Sequence, residues 1–308
     1  MIEITAALVK ELRAKTGAGM MNCKQALSEN DGDIEASIDW LRTQGLSAAS
    51  KKSSRVASEG LIGVATQGTK GALIEVNAET DFVARNVEFQ KFVQTVTNIS
   101  LEGNHTIEEL KNAAYDISGI TVRGTLSDMI AIVGENIDLR RSAALNVNKG
   151  VVSSYMHNSL EPGLGKIGVL ISLESDGDRE QLDILGKQLA MHVAATNPQV
   201  LSPQDVGTVE LEREKNILTE QARESGKPDE IIAKMVEGRL RKFFEEVCLL
   251  EQIYVIDGES KVKNIVDMEA KKMAMPIVIK EFMRFALGEG IEKKKENFAV
   301  EVATAIQG

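Results

Sequence analysis

The sequence predicts an α+β fold in which an N-terminal three-helix module precedes two related subdomains, each an antiparallel sheet with a helix. Three observations lead to this prediction. Apolar residues recur at helical spacing up to about residue 55, and beyond it the apolar period becomes that of strands. An order of strand, turn, strand and helix then occurs twice along the chain. An inserted helical hairpin and a C-terminal helix complete the predicted architecture.

A chain of 308 residues is too long for one small core, and its length predicts two or three packed units. The formal net charge of -10 argues against a general nucleic-acid-binding protein, which needs a basic face for phosphates. No apolar run approaches the roughly 18 residues of a membrane span, and Met1–Ile4 has no signal-peptide features. We therefore expect a cytoplasmic protein with no direct nucleic-acid contact and no membrane contact.

The sequence has two cysteines, Cys23 and Cys248. Two residues so far apart make neither a disulfide framework nor a metal-ligand spacing. Both lie in helical, partly apolar contexts, so we expect buried or half-buried free thiols and a reducing compartment.

Residues 1–55 form the predicted N-terminal docking module. Thr5 is a suitable N-cap for the first helix, and Gly17 and Gly19 interrupt the helical pattern before a second helix. The third helix is predicted to start near Asp33. Three short helices with a Gly-Met turn resemble a ubiquitin-associated-type bundle. Because so small a bundle has a thin core, we expect it to dock on another protein.

Residues 56–145 are the first predicted core subdomain, named here the N subdomain. Its predicted elements are two strands and a helix, at 61–65, 72–76 and 86–98. A helical stretch near 107–117 and a segment at 126–145 are expected to connect it to the next subdomain.

The second core subdomain, named the C subdomain, is predicted in two parts, residues 146–203 and 249–290. Its predicted elements are a helix that carries Leu182, Leu185, Leu189 and Val193, and strands at 151–156, 167–173 and 277–287. Between the two parts, residues 204–248 have the pattern of a helical hairpin. Residues 291–308 form the predicted C-terminal helix.

Two glycine-rich segments look like phosphate-binding loops but lack the required context. Residues 163–168 match the dinucleotide-binding fingerprint, yet a predicted strand follows where that motif needs a helix N-terminus. In residues 63–70 the threonine precedes the lysine, the reverse of the Walker order. We predict a hairpin loop at the first segment and a turn at the second.

The three histidines are dispersed and form no metal-binding or nucleophile motif. His192 lies on an apolar helix face, where a hydrogen-bonded, partly buried histidine is expected. His157 lies where a strand ends at a loop, so exposure and a contact role both fit it. We therefore expect no enzyme activity, no cofactor and no bound metal.

Two stretches resemble the signatures of one family. They are Thr16–Leu27 (TGAGMMNCKQAL) and Asn77–Asn86 (NAETDFVARN), the second directly after a predicted strand. Further matches follow in the family's order along the chain, at 134–137, 191–195, 225–228 and 288–293. The chain resembles the elongation factor Ts family, the guanine-nucleotide exchange factors of elongation factor Tu.

The resemblance implies a function and a set of contact residues. Members of the family speed GDP release from elongation factor Tu so that GTP can replace it. Their N-terminal module docks on the partner's nucleotide-binding domain, through positions that match Arg13, Met20 and Met21. The segment that disturbs the partner's magnesium site matches Thr80, Asp81, Phe82 and Val83.

Two more regions take a role from the resemblance. His157 matches a further contact with the partner, and the hairpin at 204–248 matches the dimerisation region of some members. A 1:1 complex and a homodimer-bridged 2:2 complex both fit the sequence. The chain departs from the family at Ile253–Tyr254, where Pro-Phe is usual, and its loop between Tyr155 and Lys166 is longer than in shorter members.

The residues of these contacts each fit two interpretations. Phe82 fits a core aromatic that anchors the next helix or a wedge between partner side chains, and the resemblance favours the wedge. Asp81 also fits an N-cap. Met20 and Met21 fit the module's core or an adaptable partner surface. Burying a phenylalanine is worth about 1.5–3 kcal/mol, so we expect docking surfaces to supply the rest of the discrimination between partner states.

Two other classes of function fit parts of the sequence. A nucleotide-binding enzyme built on the glycine-rich loops predicts that the isolated chain binds a nucleotide. A general adaptor of the ubiquitin-associated type predicts that residues 1–55 carry all the binding. An exchange factor predicts that docking without Asp81 and Phe82 releases no GDP.

Overall fold

The computed structural model describes residues 4–103, 106–117, 119–224 and 226–292. The predicted C-terminal helix at 291–308 lies almost entirely outside them. Within the described residues the fold is the predicted mixture of helix and sheet, with N-terminal helices, antiparallel sheets covered by helices, and a helical hairpin.

The bounds of the elements are as follows. The described helices are α1 (Ala6–Thr16), α2 (Met20–Glu29), α3 (Ile34–Lys52), α4 (Asp81–Ala84), α5 (Val87–Glu102), α6 (Ile107–Asn112), α7 (Val122–Val133), α8 (Arg179–Thr196), α9 (Thr208–Arg223), α10 (Asp229–Val247) and α11 (Val262–Met273). The described strands are β1 (Glu59–Gln67), β2 (Lys70–Ala78), β3 (Ile137–Asn146), β4 (Val151–His157), β5 (Leu164–Gly165), β6 (Ile167–Glu174) and β7 (Val278–Ala286).

The N-terminal module is held by helix caps and a small core. The Thr5 side chain accepts a hydrogen bond from the Leu8 amide (3.3 Å), and the Asp33 side chain accepts one from the Ala36 amide (2.9 Å). Gly17 ends α1 in the left-handed conformation, with φ 69°. The predicted starts at Thr5 and Asp33 are therefore confirmed. The buried core consists of Leu12, Cys23, Ala26 and Leu27.

The N subdomain is a four-stranded antiparallel sheet in the order β3-β2-β1-β5, with α5 packed against β1 and β2. Asn86 caps α5, because its side chain accepts hydrogen bonds from the amides of Glu88 (2.8 Å) and Phe89 (3.2 Å). The segment at 126–145, expected as a connection, is part of the sheet itself, since β3 pairs with β2 apart from one bulge at Arg140. The helix expected near 107–117 ends at Asn112.

The C subdomain is a three-stranded antiparallel sheet in the order β4-β6-β7, and α8 covers it. The buried side chains of α8 include the four that the sequence analysis named, Leu182, Leu185, Leu189 and Val193. The predicted returning strand is confirmed as β7. Helix α11, which the sequence analysis did not identify, adds Val262, Ile265 and Val266 to the same core.

The two sheets share an apolar layer, made of Ile62, Leu73, Leu145, Val147, Val152, Leu170 and Phe285. Gly168 of β6 lies against this layer, where a Cβ would be 2.6 Å from Leu73 Cδ1 and 2.7 Å from Ile62 Cγ2. The glycine-rich segment 163–168 leads into β6 and not into a helix, so the predicted hairpin connection from β4 to β6 is confirmed, although the segment also contains the short strand β5. The turn predicted within 63–70 is also confirmed, as the link from β1 to β2.

The remaining helices form two attachments to this core. Helices α9 and α10 make the predicted hairpin, whose arms meet at Leu218, Ala222, Ile232 and Val236. The N-terminal module packs on the N subdomain through α3 and α7, with Gly45 at the contact. A Cβ at Gly45 would lie 3.5 Å from the Ala131 Cβ. The domain boundaries given above stay predictions.

Candidate functional site

Phe82 projects from the junction between β2 and α5, in the short helix α4. Its side chain is 77% exposed, whereas the next two residues, Val83 and Ala84, are buried in the core of the N subdomain. One side of this single turn therefore anchors it, and the other side holds an aromatic ring in solvent. Phe82 is therefore not a core aromatic, and its role as a wedge between partner side chains stays a prediction.

Asp81 is the first residue of α4, and Thr80 occupies the N-cap position. The expectation that Asp81 is an N-cap is therefore wrong. The Thr80 side chain makes no capping hydrogen bond either, because its hydroxyl is turned to another segment. Asp81 is exposed and makes a long ion pair with Arg85 (3.9 Å) one turn further on. Its carboxylate is thus free to meet a partner at little cost, since exposed pairs of this kind contribute about 0–1 kcal/mol.

Two carboxylates fasten the start of the junction to the turn between α7 and β3. Glu135 accepts hydrogen bonds from the Thr80 amide (2.9 Å) and the Thr80 hydroxyl (2.7 Å). In the reverse direction, Glu79 accepts one from the Asn136 amide (2.5 Å). We name this reciprocal set the junction clamp, formed by Glu79, Thr80, Glu135 and Asn136.

The clamp also holds the end of the N-terminal module. Arg55 donates from Nη1 to Glu79 (3.4 Å), and its carbonyl accepts a hydrogen bond from the Asn136 side chain (2.7 Å). Asn136 is buried, so its side-chain bond is shielded from water. The last residue of the docking module is thereby tied to the base of the segment that carries Phe82.

A cleft of about 140 Å³ beside α4 is lined by residues of both subdomains. Asp81 and Arg85 line it from the N subdomain, and Asn158, Leu160 and Lys166 line it from the loop after β4. This is the loop between Tyr155 and Lys166, which was expected to be longer than in the shorter members of the family that the chain resembles. It therefore borders directly on the segment that carries Phe82.

His157 is the last residue of β4 and is exposed. Its Nδ1 lies 3.4 Å from the Tyr155 hydroxyl, and the next residue, Asn158, lines the cleft beside α4. The residue after His157 thus lies at the same cleft as Asp81 and Arg85, although 75 positions in sequence separate His157 from Phe82. The expected exposure of His157 is confirmed, while its contact role stays a prediction.

Arg13, Met20 and Met21 lie apart from this cleft, on the N-terminal module. Met20 and Met21 begin α2 and are 60% and 75% exposed, so neither belongs to the module's core. Arg13 is exposed in the last turn of α1, close in sequence to the Gly17 turn. Gly19 is the N-cap residue of α2, directly before Met20. Flexible methionines at such a place suit a partner surface.

His192 is fully buried at the base of the hairpin. The Val255 amide donates to its Nδ1 (3.2 Å), so Nε2 carries the proton and donates to Gln252 Oε1 (2.9 Å). Burial lowers the pKa of His192. The prediction of a hydrogen-bonded structural histidine is confirmed.

The described residues provide no built metal site, since no group of three or more His, Cys, Asp or Glu among them could hold a metal ion. Cys23 and Cys248 are free and buried as predicted, and burial raises the pKa of the Cys248 thiol to about 11. Among the helices that the structure describes, none is long and apolar enough to cross a membrane.

Sequence reasoning missed Glu135 and the other clamp residue Asn136 as parts of the site. The only available signal was that Gly134–Ile137 matched the resembling family. Gly134 ends α7 with φ 84°, and this turn delivers the Glu135 side chain to Thr80, 55 residues earlier in the chain, and the Asn136 side chain to the Arg55 carbonyl. A contact across that separation is not visible in local sequence.

The site consists of exposed apolar and charged side chains on a firmly anchored frame. Such features are typical of a protein surface that contacts a macromolecular partner. The comparisons with known proteins agree. The family model described as elongation factor TS matches residues 79–289.

Curated relatives extend the match to the whole chain. Elongation factor Ts of Rhodospirillum rubrum is 58% identical over 308 residues, covering 100% of both chains. The Rhodospirillum centenum protein of the same name is 56% identical over 304 residues, and the Rhizobium etli one is 53% identical over 308. These two alignments cover 99% and 100% of each chain. The chain belongs to the elongation factor Ts family.

Proposed function

We propose that this chain is the guanine-nucleotide exchange factor of elongation factor Tu. It binds the GDP-bound partner, disturbs the magnesium and nucleotide site, and promotes GDP release so that GTP can bind. The observation that carries the proposal is Phe82, a 77% exposed aromatic on a doubly anchored turn, in a chain that matches its family from end to end.

The proposed mechanism follows from what an exchange factor must do. Only a difference in affinity between two partner states shifts their equilibrium, so the factor must bind the nucleotide-free state more tightly. Phe82 enters a pocket that exists, or is open, only when the magnesium site is disturbed. Asp81 brings a carboxylate next to the metal's ligands. Val83 and Thr80 hold the turn from the core side and from the clamp side.

The N-terminal module supplies a second contact in this proposal. Arg13, Met20 and Met21 dock on the partner's nucleotide-binding domain. This contact contributes affinity, whereas Phe82 contributes release. His157 adds a third contact next to the cleft beside α4. A homodimer through 204–248 is compatible with the exposed Val209 and Ile217 on α9, and so is a 1:1 complex.

The two other classes of function have less support. A dinucleotide site at 163–168 needs a helix N-terminus after the glycines, and β6 follows instead. A pure adaptor needs only the N-terminal module, yet the exposed Phe82 and the clamp that holds it belong to the N subdomain.

The test is release of a fluorescent GDP analogue from purified elongation factor Tu, followed by stopped flow with excess unlabelled GDP. Wild-type chain is expected to accelerate release strongly. Phe82→Ala is expected to reduce the maximal rate by about ten- to a hundredfold, the equivalent of one buried phenylalanine. The matched control is Ile117→Ala, which removes a fully exposed apolar side chain elsewhere in the N subdomain and should leave the rate unchanged.

The outcomes separate the proposals. No acceleration by wild type would reject the exchange function. Acceleration undiminished by Phe82→Ala would keep the function and reject the wedge. If a fragment of residues 1–55 accelerates release as well as the full chain, the adaptor interpretation replaces ours. Binding of the fluorescent GDP to the isolated chain would favour the nucleotide-binding alternative.

A further inference from the structure

The junction clamp joins two short segments through two carboxylates, those of Glu79 and Glu135. Glu135 places both of its oxygens on Thr80, one on the amide and one on the hydroxyl. Hydrogen bonds to a charged acceptor are roughly twice as strong as neutral ones. Glu135 is only partly exposed, which limits the competition from water.

The hydrogen bonds of Glu135 lie at the start of the helix that carries Phe82, so they also affect how firmly Phe82 is held. Thr80 is the N-cap residue of a helix only four residues long, and a helix of one turn is not stable by itself. The buried Val83 and Ala84 hold its far end, and the clamp holds its near end. Phe82 lies between the two attachments. Loss of the near one would leave Phe82 on a segment anchored at one side only.

We propose that Glu135 is a positioning residue for exchange, which acts through Phe82 by fixing Thr80. This inference rests on the exchange function proposed above and names a residue that serves it without touching the partner's nucleotide site. Glu79 and Asn136 form the reciprocal half of the same device. Because Arg55 is bonded to both, the clamp also joins the docking module to the Phe82 segment.

The experiment is a double-mutant cycle on GDP release with the full chain. Glu135→Ala is expected to lower the maximal release rate about tenfold, as for the loss of charged hydrogen bonds. The concentration of factor that gives half the maximal rate should stay unchanged, because the docking residues are untouched. In the Phe82→Ala background the same substitution should have no further effect, since its route of action is already removed.

Two variants guard the interpretation. Glu135→Gln keeps the size and one acceptor oxygen, so its rate should lie between wild type and Glu135→Ala. Glu108→Ala removes an exposed ion pair with Arg123 in the same subdomain and should behave as wild type. Equal fold-losses from Glu135→Ala in both backgrounds would overturn the inference, and so would a wild-type rate in Glu135→Ala.

A second readout does not depend on the partner. Amide hydrogen exchange at Thr80 should be slow in the wild-type chain and fast in Glu135→Ala, with the β1–β2 amides unchanged. If this difference is absent, the clamp does not hold the junction, whatever the exchange activity. If the difference is present but the wild-type chain releases no GDP, the clamp is confirmed and the proposed function fails.

Discussion

Glu75 tests whether a buried carboxylate holds the loop after β7 against the sheet of the N subdomain. Its carboxylate is fully buried at β2 and accepts hydrogen bonds from the Gly288 amide (2.8 Å) and the Asn77 side chain (2.9 Å). Two guanidinium groups of β3, those of Arg140 and Arg141, pair with it. The residue thus connects the centre of one sheet to the loop that follows β7.

The expected cost of Glu75→Ala can be worked from these contacts. Removing one partner of a buried ion pair costs about 3–5 kcal/mol, because the remaining charge loses its compensation. Arg140 and Arg141 are each 28% exposed, so water can partly replace the carboxylate. Arg141 also keeps Glu289 and the ring of Phe285, 4.2 Å away. We therefore expect about 3 kcal/mol off the free energy of unfolding, at the low end of this range.

The assay is thermal unfolding followed by circular dichroism. A loss of about 3 kcal/mol corresponds to roughly 6–12 °C in Tm, using the conversion for domains of 150–250 residues. Glu75→Gln keeps the volume and one acceptor and should lose about half as much. Glu220→Ala breaks an exposed pair with Arg223 and should stay within about 1–2 °C of wild type.

Two results would refute the reasoning about Glu75. One is a Tm for Glu75→Ala within about 2 °C of wild type, because surface pairs already account for that much. The other is an unchanged hydrogen-exchange rate at the Gly288 amide, which must lose its acceptor if the geometry is correct.

The remaining predictions concern His192, Gly168 and Gly238. Since burial lowers the pKa of His192 below the value of about 6.5 in the unfolded chain, the unfolded state binds the extra proton first, and stability should fall as pH drops below about 6.5. Glutamine does not titrate, so His192→Gln removes this proton uptake. The urea midpoints of the variant at pH 7.5 and 5.5 should therefore differ less than those of wild type. An equal difference would exclude His192 as the cause. Gly168→Ala should cost about 1–3 kcal/mol, because its Cβ would meet Leu73 Cδ1 at 2.6 Å. Gly238→Ala, in α10 with open space around it, should instead stabilise by about 0.5–1 kcal/mol, and opposite signs in urea unfolding check the pair.

Sequence reasoning succeeded where local signals and buried faces coincide. The helices of the N-terminal module have capping residues such as Thr5 and Asp33, and β1 and β2 are apolar runs with a turn between them. Each of these signals lies within a few residues of the element it specifies. The same holds for the hairpin of α9 and α10, whose amphipathic arms flank a Gly-Lys-Pro turn.

The failures have the opposite character. Strand β3, in a segment expected only to connect the subdomains, carries Arg140 and Arg141, and their acceptor Glu75 is 65 and 66 residues away in sequence. Asp81 is a residue type that is preferred at N-caps, but Thr80 occupies the N-cap position, and its hydroxyl is hydrogen-bonded to Glu135. Long-range ion pairs and hydrogen bonds override local preference in both cases. The exposure of Phe82 was therefore predictable from the family resemblance, whereas the contacts that hold its segment were not.

That distinction matters for the proposed exchange function, because the energy of a wedge is small. Burial of Phe82 in a partner yields about 1.5–3 kcal/mol, whereas ordering the backbone of one residue costs about 1–2 kcal/mol. If the segment from Thr80 to Phe82 had to become ordered on binding, three residues would cost about 3–6 kcal/mol and consume the whole gain. A clamp that orders the segment beforehand moves this cost into folding. Burial of the Phe82 ring can then stabilise the disturbed state of the partner selectively, and only such selective stabilisation speeds GDP release.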